Sequence, residues 1–173
     1  MTFLLIVAAV VAVILVLATT KPNTFRIERS ATIKAPPEKV FPLLNDFRQW
    51  AGWSPWEKMD PSMRRTHNGA ASGTGAKYEW EGNKKVGMGR MEITRATPSS
   101  QVVIQLDFLK PFEAHNVTTF NLAGSTGTTN LTWVMEGTNN FMSKAMSVFV
   151  SMDKMIGKDF EAGLANLKAL SEP

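Results

Sequence analysis

Acid–base catalysis in proteins most often uses histidine, and this chain of 173 residues contains two, His67 and His115. His67 precedes Asn68-Gly69, where a strand is expected to end. His115 alternates with Asn116 in a predicted strand, so its side chain should point away from the buried face of the sheet. We expect neither histidine to be catalytic.

Carboxylates are the other candidates for acid–base groups, but those in the predicted strands alternate with apolar residues and should face outward. A shift of one residue in strand register would turn several of them inward. The chain has no cysteine, and its two histidines are far apart in the sequence. We therefore expect no catalytic residue, no metal and no other cofactor. The carboxylates concerned are Glu79, Glu81, Glu92, Asp107, Glu113 and Glu136.

The basic residues do not form a nucleic-acid-binding pattern. The formal net charge is +4, but lysine and arginine are scattered among acidic residues, with adjacent basic pairs only at residues 64–65 and 84–85. The glycines of residues 82–89 lie between two predicted strands and indicate a hairpin turn, not a phosphate-binding loop. We expect no nucleic acid as a partner.

Most of the chain predicts an antiparallel sheet. Residues 25–33 alternate enough for a first strand, and residues 63–137 repeat a pattern of strand, short turn and strand. Between these segments, residues 36–41 predict the start of a short helix. Three of the five tryptophans then fall within seven positions, at residues 50–56, which predicts a buried or interfacial cluster.

The C-terminal segment changes to helical periodicity. Apolar residues recur at steps of three and four from Phe141 to Leu170, which predicts one amphipathic helix of about thirty residues. Gly157 and Gly163 are candidate positions for a bend. A sheet and a helix that each have one apolar face must bury those faces against each other, so the predicted fold class is α+β.

The N-terminal segment is apolar at every position from Phe3 to Ala18. With the neighbouring threonines, residues 1–20 have about the length needed to span a bilayer, so we predict a single-pass transmembrane anchor. A cleaved signal peptide is the alternative, although no basic residue precedes position 21. Basic residues follow the segment, which favours a folded domain on the cytoplasmic side. Residues 21–24 would form a linker, and residues 25–171 the domain.

The chain also resembles a known family, the START-like (SRPBCC) superfamily, and in particular its polyketide cyclase/dehydrase-like members. The resemblance rests on IKAPPEKVF at residues 33–41, DFRQW at 46–50 and WSPW at 53–56, followed by the predicted sheet and terminal helix. It implies a helix-grip fold, in which a curved antiparallel sheet wraps around a long C-terminal helix. It also implies a cavity between sheet and helix that holds a hydrophobic molecule.

The expected ligand-binding residues combine large apolar side chains on the predicted inner face, a few polar groups, and two of the three clustered tryptophans at residues 50, 53 and 56, which the resemblance implies pack around the cavity mouth. Methionine adapts to irregular volumes, and the chain contains ten methionines, which favours a deformable cavity. The expected set is Trp50, Trp53, Tyr78, Trp80, Met91, Leu106, Phe108, Asn116, Thr118, Phe120, Trp133, Met135, Met142, Met146 and Phe149.

Three functions are compatible with the sequence. The first is membrane-tethered binding of a hydrophobic small molecule or lipid, which the lack of an acid–base constellation favours over an enzyme. The second is an enzyme of cyclase or dehydratase type, in which polar groups such as Tyr78, Asn116 and Thr118 position a reactive polyketide. The third is a protein-interaction or chaperone-cofactor module that uses the outer surface or the tryptophan cluster.

Overall fold

The sheet has seven antiparallel strands in the order β1-β7-β6-β5-β4-β3-β2, in a computed structural model that describes residues 2–125 and 127–173. Successive strands from β2 to β7 are neighbours, and β1 pairs with β7 to complete the sheet. Two register shifts of one residue in the β4–β5 pair, at Met88/Gly89 and Ile93/Arg95, bend the sheet locally. The strands are β1 (Thr24–Ile33), β2 (Arg64–Gly69), β3 (Ala76–Glu81), β4 (Met88–Thr97), β5 (Gln101–Lys110), β6 (Ala114–Ser125) and β7 (Thr128–Thr138).

The helices are α1 (Thr2–Thr19), α2 (Pro37–Asn45), α3 (Phe141–Met146) and α4 (Met152–Ser171), with short 3-10 helices at Phe47–Gly52 and Pro55–Lys58. On α4, Phe160, Leu164 and Leu167 are buried against the sheet. A curved antiparallel sheet therefore packs on a C-terminal helix, which confirms the predicted α+β helix-grip fold.

The C-terminal helix differs from the prediction because it is two helices. The segment of residues 147–151 separates α3 from α4, and serines stand at both ends of the break. The Ser147 hydroxyl donates to the Lys144 carbonyl oxygen, and the Ser151 hydroxyl accepts from the Lys154 amide. Serine side chains compete with helical backbone hydrogen bonds in this way, and apolar periodicity carries no signal for it.

The glycines of α4 allow close packing on the sheet and do not mark the break. A Cβ atom at Gly157 would overlap the guanidinium of Arg29, which lies on β1. Arg29 donates to both carboxylate oxygens of Asp153, one helical turn before Gly157, and to Glu161 one turn after it. A Cβ atom at Gly163 would likewise lie 2.8 Å from the Trp133 ring. These contacts hold α4 across β1 and β7.

The N-terminal prediction is not supported. Among the described residues, no helix is long and apolar enough to cross a membrane. The single-pass anchor predicted for residues 1–20, and the membrane attachment that depended on it, are therefore not supported.

Candidate ligand-binding site

A cavity of about 270 Å³ lies between the inner face of the sheet and α4. Strands β3 to β7 form one wall, α4 forms the opposite wall, and the segment around Trp56 closes one side. The volume is near the lower end of the range typical for small-molecule sites, roughly 300–1,000 Å³. The lining is predominantly aromatic and aliphatic, so the cavity suits an apolar molecule.

Most of the residues expected to bind a ligand line this cavity. All of them except Trp50, which lies in the 3-10 helix at Phe47–Gly52, are strand residues that alternation places on one face, as the period of two in the sequence indicates. They are Trp50, Tyr78, Trp80, Met91, Leu106, Phe108, Asn116, Thr118, Trp133 and Met135. Their role in ligand binding stays a prediction.

Two of the expected residues lie in the solid core next to the cavity. Trp53 and Phe120 are fully buried, and their rings meet edge to face. The Trp53 indole N–H donates to the Leu43 carbonyl oxygen at 2.9 Å, which turns the ring towards α2. Phe120 contacts Trp133, with ring centroids 4.9 Å apart, and so supports the cavity wall from behind.

The structure does not bring Met146 and Phe149 to the cavity. Met146 is 53% exposed at the end of α3, and Phe149 is 71% exposed in the break between the helices. The sequence predicts an inward position for both residues because it predicts one continuous helix, whose apolar face would include them. The Met142 side chain lies outside the described residues.

The expected set omitted lining residues of two kinds. Met152, Ile156 and Phe160 form a stripe at four-residue spacing on α4, and their periodicity was visible in the sequence. Others come from loops, from the 3-10 helix at Pro55–Lys58, from strand ends and from α3, where the sequence did not indicate which side chain points inward. This second kind is Phe25, Ser54, Trp56, Glu57, Met63, Lys85, Val86, Ala114, Thr138 and Ser143.

Aromatic stacking gives the cavity a rigid wall. The rings of Trp133 and Phe160 stack at 4.0 Å with an interplanar angle of 8°, which joins β7 to α4. Trp80 and Phe108 meet edge to face at 5.7 Å across β4. The strand between them carries Gly89, where a Cβ atom would overlap the Trp80 indole, so glycine leaves room for that ring.

A polar cluster interrupts the apolar lining at Glu57. The Tyr78 hydroxyl donates to Glu57 Oε1 at 2.5 Å, and the Arg65 guanidinium donates to Glu57 Oε2 at 2.6 Å. Burial, reinforced by the hydrogen bond to Glu57, raises the pKa of Tyr78 well above its usual range. Tyr78 therefore stays protonated at neutral pH and acts as a hydrogen-bond donor, not as a base.

The mouth of the cavity lies beside the β3–β4 turn and α3. Lys85 in that turn and Thr138 at the end of β7 are the exposed members of the lining. Ser143 of α3 and Val86 are half-buried on the same rim. Lys85 is the positive charge that a ligand would meet on entering.

The histidines take no part in the cavity lining. The ring of His67 lies 5.1 Å from that of Tyr78 but is set back from the cavity. His115 is exposed on the outer face of the sheet, where its Nδ1 lies 2.9 Å from Asp107 Oδ1. Across the residues that the structure describes, no group of three or more potential metal ligands comes together.

Asp107 is the centre of an ionic cluster on the outer face. Burial acts to raise its pKa, but hydrogen bonds from His115, Gln105 and Arg90 outweigh burial and lower the pKa to about 2. These bonds connect β4, β5 and β6 on the side opposite the cavity. The cluster therefore belongs to the stability of the sheet and not to the site.

Comparisons with known proteins agree with this fold. A family model described as polyketide cyclase / dehydrase and lipid transport matches residues 24–172. No curated protein matches the chain. Among solved structures, protein CV1439 from Chromobacterium violaceum has a TM-score of 0.61 and 21% identity, covering 88% of this chain and 99% of that one.

Two further structures are similar at low sequence identity. The di-domain ARO/CYC BexL of the BE-7585A biosynthetic pathway has a TM-score of 0.64 and 16% identity, covering 91% of this chain and 53% of that one. The Aha1 dimer from Colwellia psychrerythraea has a TM-score of 0.53 and 18% identity, covering 86% and 96%. Likeness at this identity shows a shared fold.

Proposed function

Since this chain belongs to the polyketide cyclase / dehydrase and lipid transport family, we propose that it binds a hydrophobic small molecule or lipid in the cavity between the sheet and α4. The observation that carries the proposal is an apolar cavity in a domain whose inner face is otherwise well packed. Each buried methylene contributes about 0.8 kcal/mol, so a ligand of six to eight carbons gains roughly 5–6 kcal/mol before association costs.

Filling the cavity should abolish binding of an apolar probe. Ala114 lines the cavity near its mouth, and Ala114→Phe adds a ring where the ligand would lie. Val117 lies on the same strand but is exposed on the outer face, so Val117→Phe adds the same ring without reaching the cavity. The probe is N-phenyl-1-naphthylamine, an uncharged dye whose emission rises in apolar surroundings.

We expect the wild-type protein and Val117→Phe to bind the dye with equal affinity, and Ala114→Phe to bind it at least tenfold more weakly, which is ~1.4 kcal/mol. Far-UV circular dichroism establishes that both variants are folded. Equal affinity in all three proteins would place the dye elsewhere and refute the proposal.

A cyclase or dehydratase is the second candidate, because polar side chains lie within the cavity. Tyr78 and Glu57 could orient a reactive ligand, although the raised pKa of Tyr78 limits it to hydrogen-bond donation. An enzyme would release a chemically altered ligand. We expect a polyketone ligand incubated with the protein to be recovered unchanged by mass spectrometry; protein-dependent loss of water from it would favour the enzyme.

A further inference from the structure

Asn116 is a polar residue with an unused hydrogen-bonding group at the cavity. Its side chain is 5% exposed and lines the cavity, and its buried Oδ1 atom has no hydrogen-bond partner among the described residues. Asn116 pairs with Gly137 of β7, where a Cβ atom would overlap Oδ1, so the glycine leaves room for the amide. A buried polar group without a partner is destabilising, whereas leucine of similar size would fill the position without that penalty.

The neighbours of Asn116 across β5, β4 and β3 do not pair with its amide. In the row of strand residues that faces the cavity, Asn116 pairs with Leu106, Leu106 with Met91, and Met91 with Tyr78. The two intervening side chains are apolar, and the Tyr78 hydroxyl already donates to Glu57. The amide is therefore available to whatever occupies the cavity.

We propose that the natural ligand carries an uncharged polar group, a hydroxyl or a carbonyl, that hydrogen-bonds with the Asn116 amide. This inference rests on the proposed function of the cavity. Rotation about the last side-chain bond lets the amide present either its oxygen or its amino group, so it can accept from a hydroxyl or donate to a carbonyl. The rest of the ligand is apolar, to match the aromatic walls.

A carboxylate is disfavoured at the same position. The Glu57 carboxylate lines the cavity, and its guanidinium partner Arg65 is not part of the lining. A second carboxylate in the cavity would lose its hydration and face a like charge. Lys85 in the β3–β4 turn is the basic residue of the described lining and is exposed, so a carboxylate that paired with it would lie at the mouth. The cavity should therefore discriminate against fatty-acid-like anions.

Three ligands that differ in a single substituent test this inference by displacement of N-phenyl-1-naphthylamine: naphthalene, 2-naphthol and 2-naphthoate. We expect 2-naphthol to displace the dye at roughly tenfold lower concentration than naphthalene, the ratio typical of one buried hydrogen bond. We expect 2-naphthoate to require at least about tenfold more than 2-naphthol.

Variants then assign the preference to one side chain. Asn116→Leu should reduce the preference for 2-naphthol over naphthalene to within about twofold. Thr119→Val removes a hydroxyl from the outer face of the same strand, outside the cavity lining, and should keep the full preference. Retention of the full preference in Asn116→Leu would overturn the assignment.

The outcome separates this inference from the proposed function. If the dye binds and naphthalene displaces it as well as 2-naphthol does, the cavity binds apolar ligands but the inference is refuted. If the dye does not bind at the cavity, the proposed function itself fails. The comparison of the ligands on the wild-type protein does not depend on the folding of any variant.

Discussion

Glu57 accepts hydrogen bonds from Tyr78 and Arg65 where the 3-10 helix at Pro55–Lys58 meets the inner face of the sheet. Its side chain is only 8% exposed. If one partner is removed, a carboxylate oxygen of Glu57 is left buried without a hydrogen-bond donor. The loss in free energy of unfolding is then larger than the net contribution of the hydrogen bond itself. This cluster should therefore be sensitive to substitutions that change little volume.

Tyr78→Phe removes the hydroxyl and leaves Glu57 Oε1 without its donor. We expect the free energy of unfolding to fall by about 1–3 kcal/mol, measured by urea denaturation. The matched control is Glu57→Gln, alone and combined with Tyr78→Phe. The effects of the two substitutions on the free energy of unfolding should differ from additivity by more than about 0.5 kcal/mol, because the two residues share one hydrogen bond. Strict additivity would show that the hydroxyl and the carboxylate do not interact.

Asp107 predicts a pH dependence of stability. Its pKa is lowered to about 2 in the folded protein from 3.8, so folding is stabilised when the carboxylate is ionised. That stabilisation is present above the unfolded pKa, and it is lost as the pH falls through the window from about 4 to about 2.

Asp107→Asn cannot ionise, so the variant should be less stable than wild type at neutral pH, and the gap should narrow as the pH falls from about 4 to about 2. Thermal denaturation at several pH values measures this. A difference in melting temperature between wild type and Asp107→Asn that stays constant from about pH 4 to about pH 2 would contradict the claim that ionised Asp107 stabilises the fold.

At the scale of elements, the position of α4 depends on the contact of Arg29 with Asp153, Gly157 and Glu161. The guanidinium lies where a side chain of residue 157 would be. Helix propensity and packing therefore give opposite predictions for a substitution at this glycine.

Gly157→Ala should destabilise the protein by about 1–3 kcal/mol through overpacking, although alanine is favoured over glycine in a helix by roughly 1 kcal/mol. In an Arg29→Ala background the guanidinium is absent, and the same substitution should then be stabilising. Chemical denaturation measures the free energy of unfolding of the wild type, of each single variant and of the double variant. Stabilisation by Gly157→Ala in the wild-type background would show that α4 does not approach β1 as closely as described.

The sequence predicted the sheet and most cavity-lining strand residues, because alternation determines the face on which a strand residue lies. It did not predict the break after α3, since the apolar spacing of Phe141, Ala145 and Val148 continues across it and only the capping hydrogen bonds of Ser147 and Ser151 interrupt it. It also missed Glu57, because a short 3-10 helix carries no periodicity from which an inward direction can be derived.

At the scale of the molecule, the folded unit should not need α1. The family match begins at residue 24, and the sheet, α2 and α4 bury one continuous core. We propose residues 25–171 as the domain, with residues 21–24 as a linker. Pro22 and Asn23 accept hydrogen bonds from Asn139, so a shortened chain should keep them.

A chain that starts at Lys21 should unfold cooperatively on heating and bind N-phenyl-1-naphthylamine with the affinity of the full chain. Differential scanning calorimetry and dye titration measure these properties. Loss of a cooperative transition, or dye binding weakened tenfold, would show that α1 is part of the folded unit.

The central claim, an apolar ligand within the cavity, can be tested on the methionines of the chain itself. Met91, Met135 and Met152 line the cavity, and Met63 does so near Glu57. Met59, Met146 and Met155 are exposed outside it. These two groups give a signal and an internal control in one sample.

The measurement is a ¹³C-methyl-methionine NMR titration with naphthalene. We predict that the methyl resonances of Met91, Met135 and Met152 shift with a common dissociation constant, because an aromatic ligand in the cavity changes their surroundings. The resonances of Met59, Met146 and Met155 should stay unchanged. Shifts confined to the exposed methionines, with the cavity methionines unaffected, would contradict ligand binding between the sheet and α4.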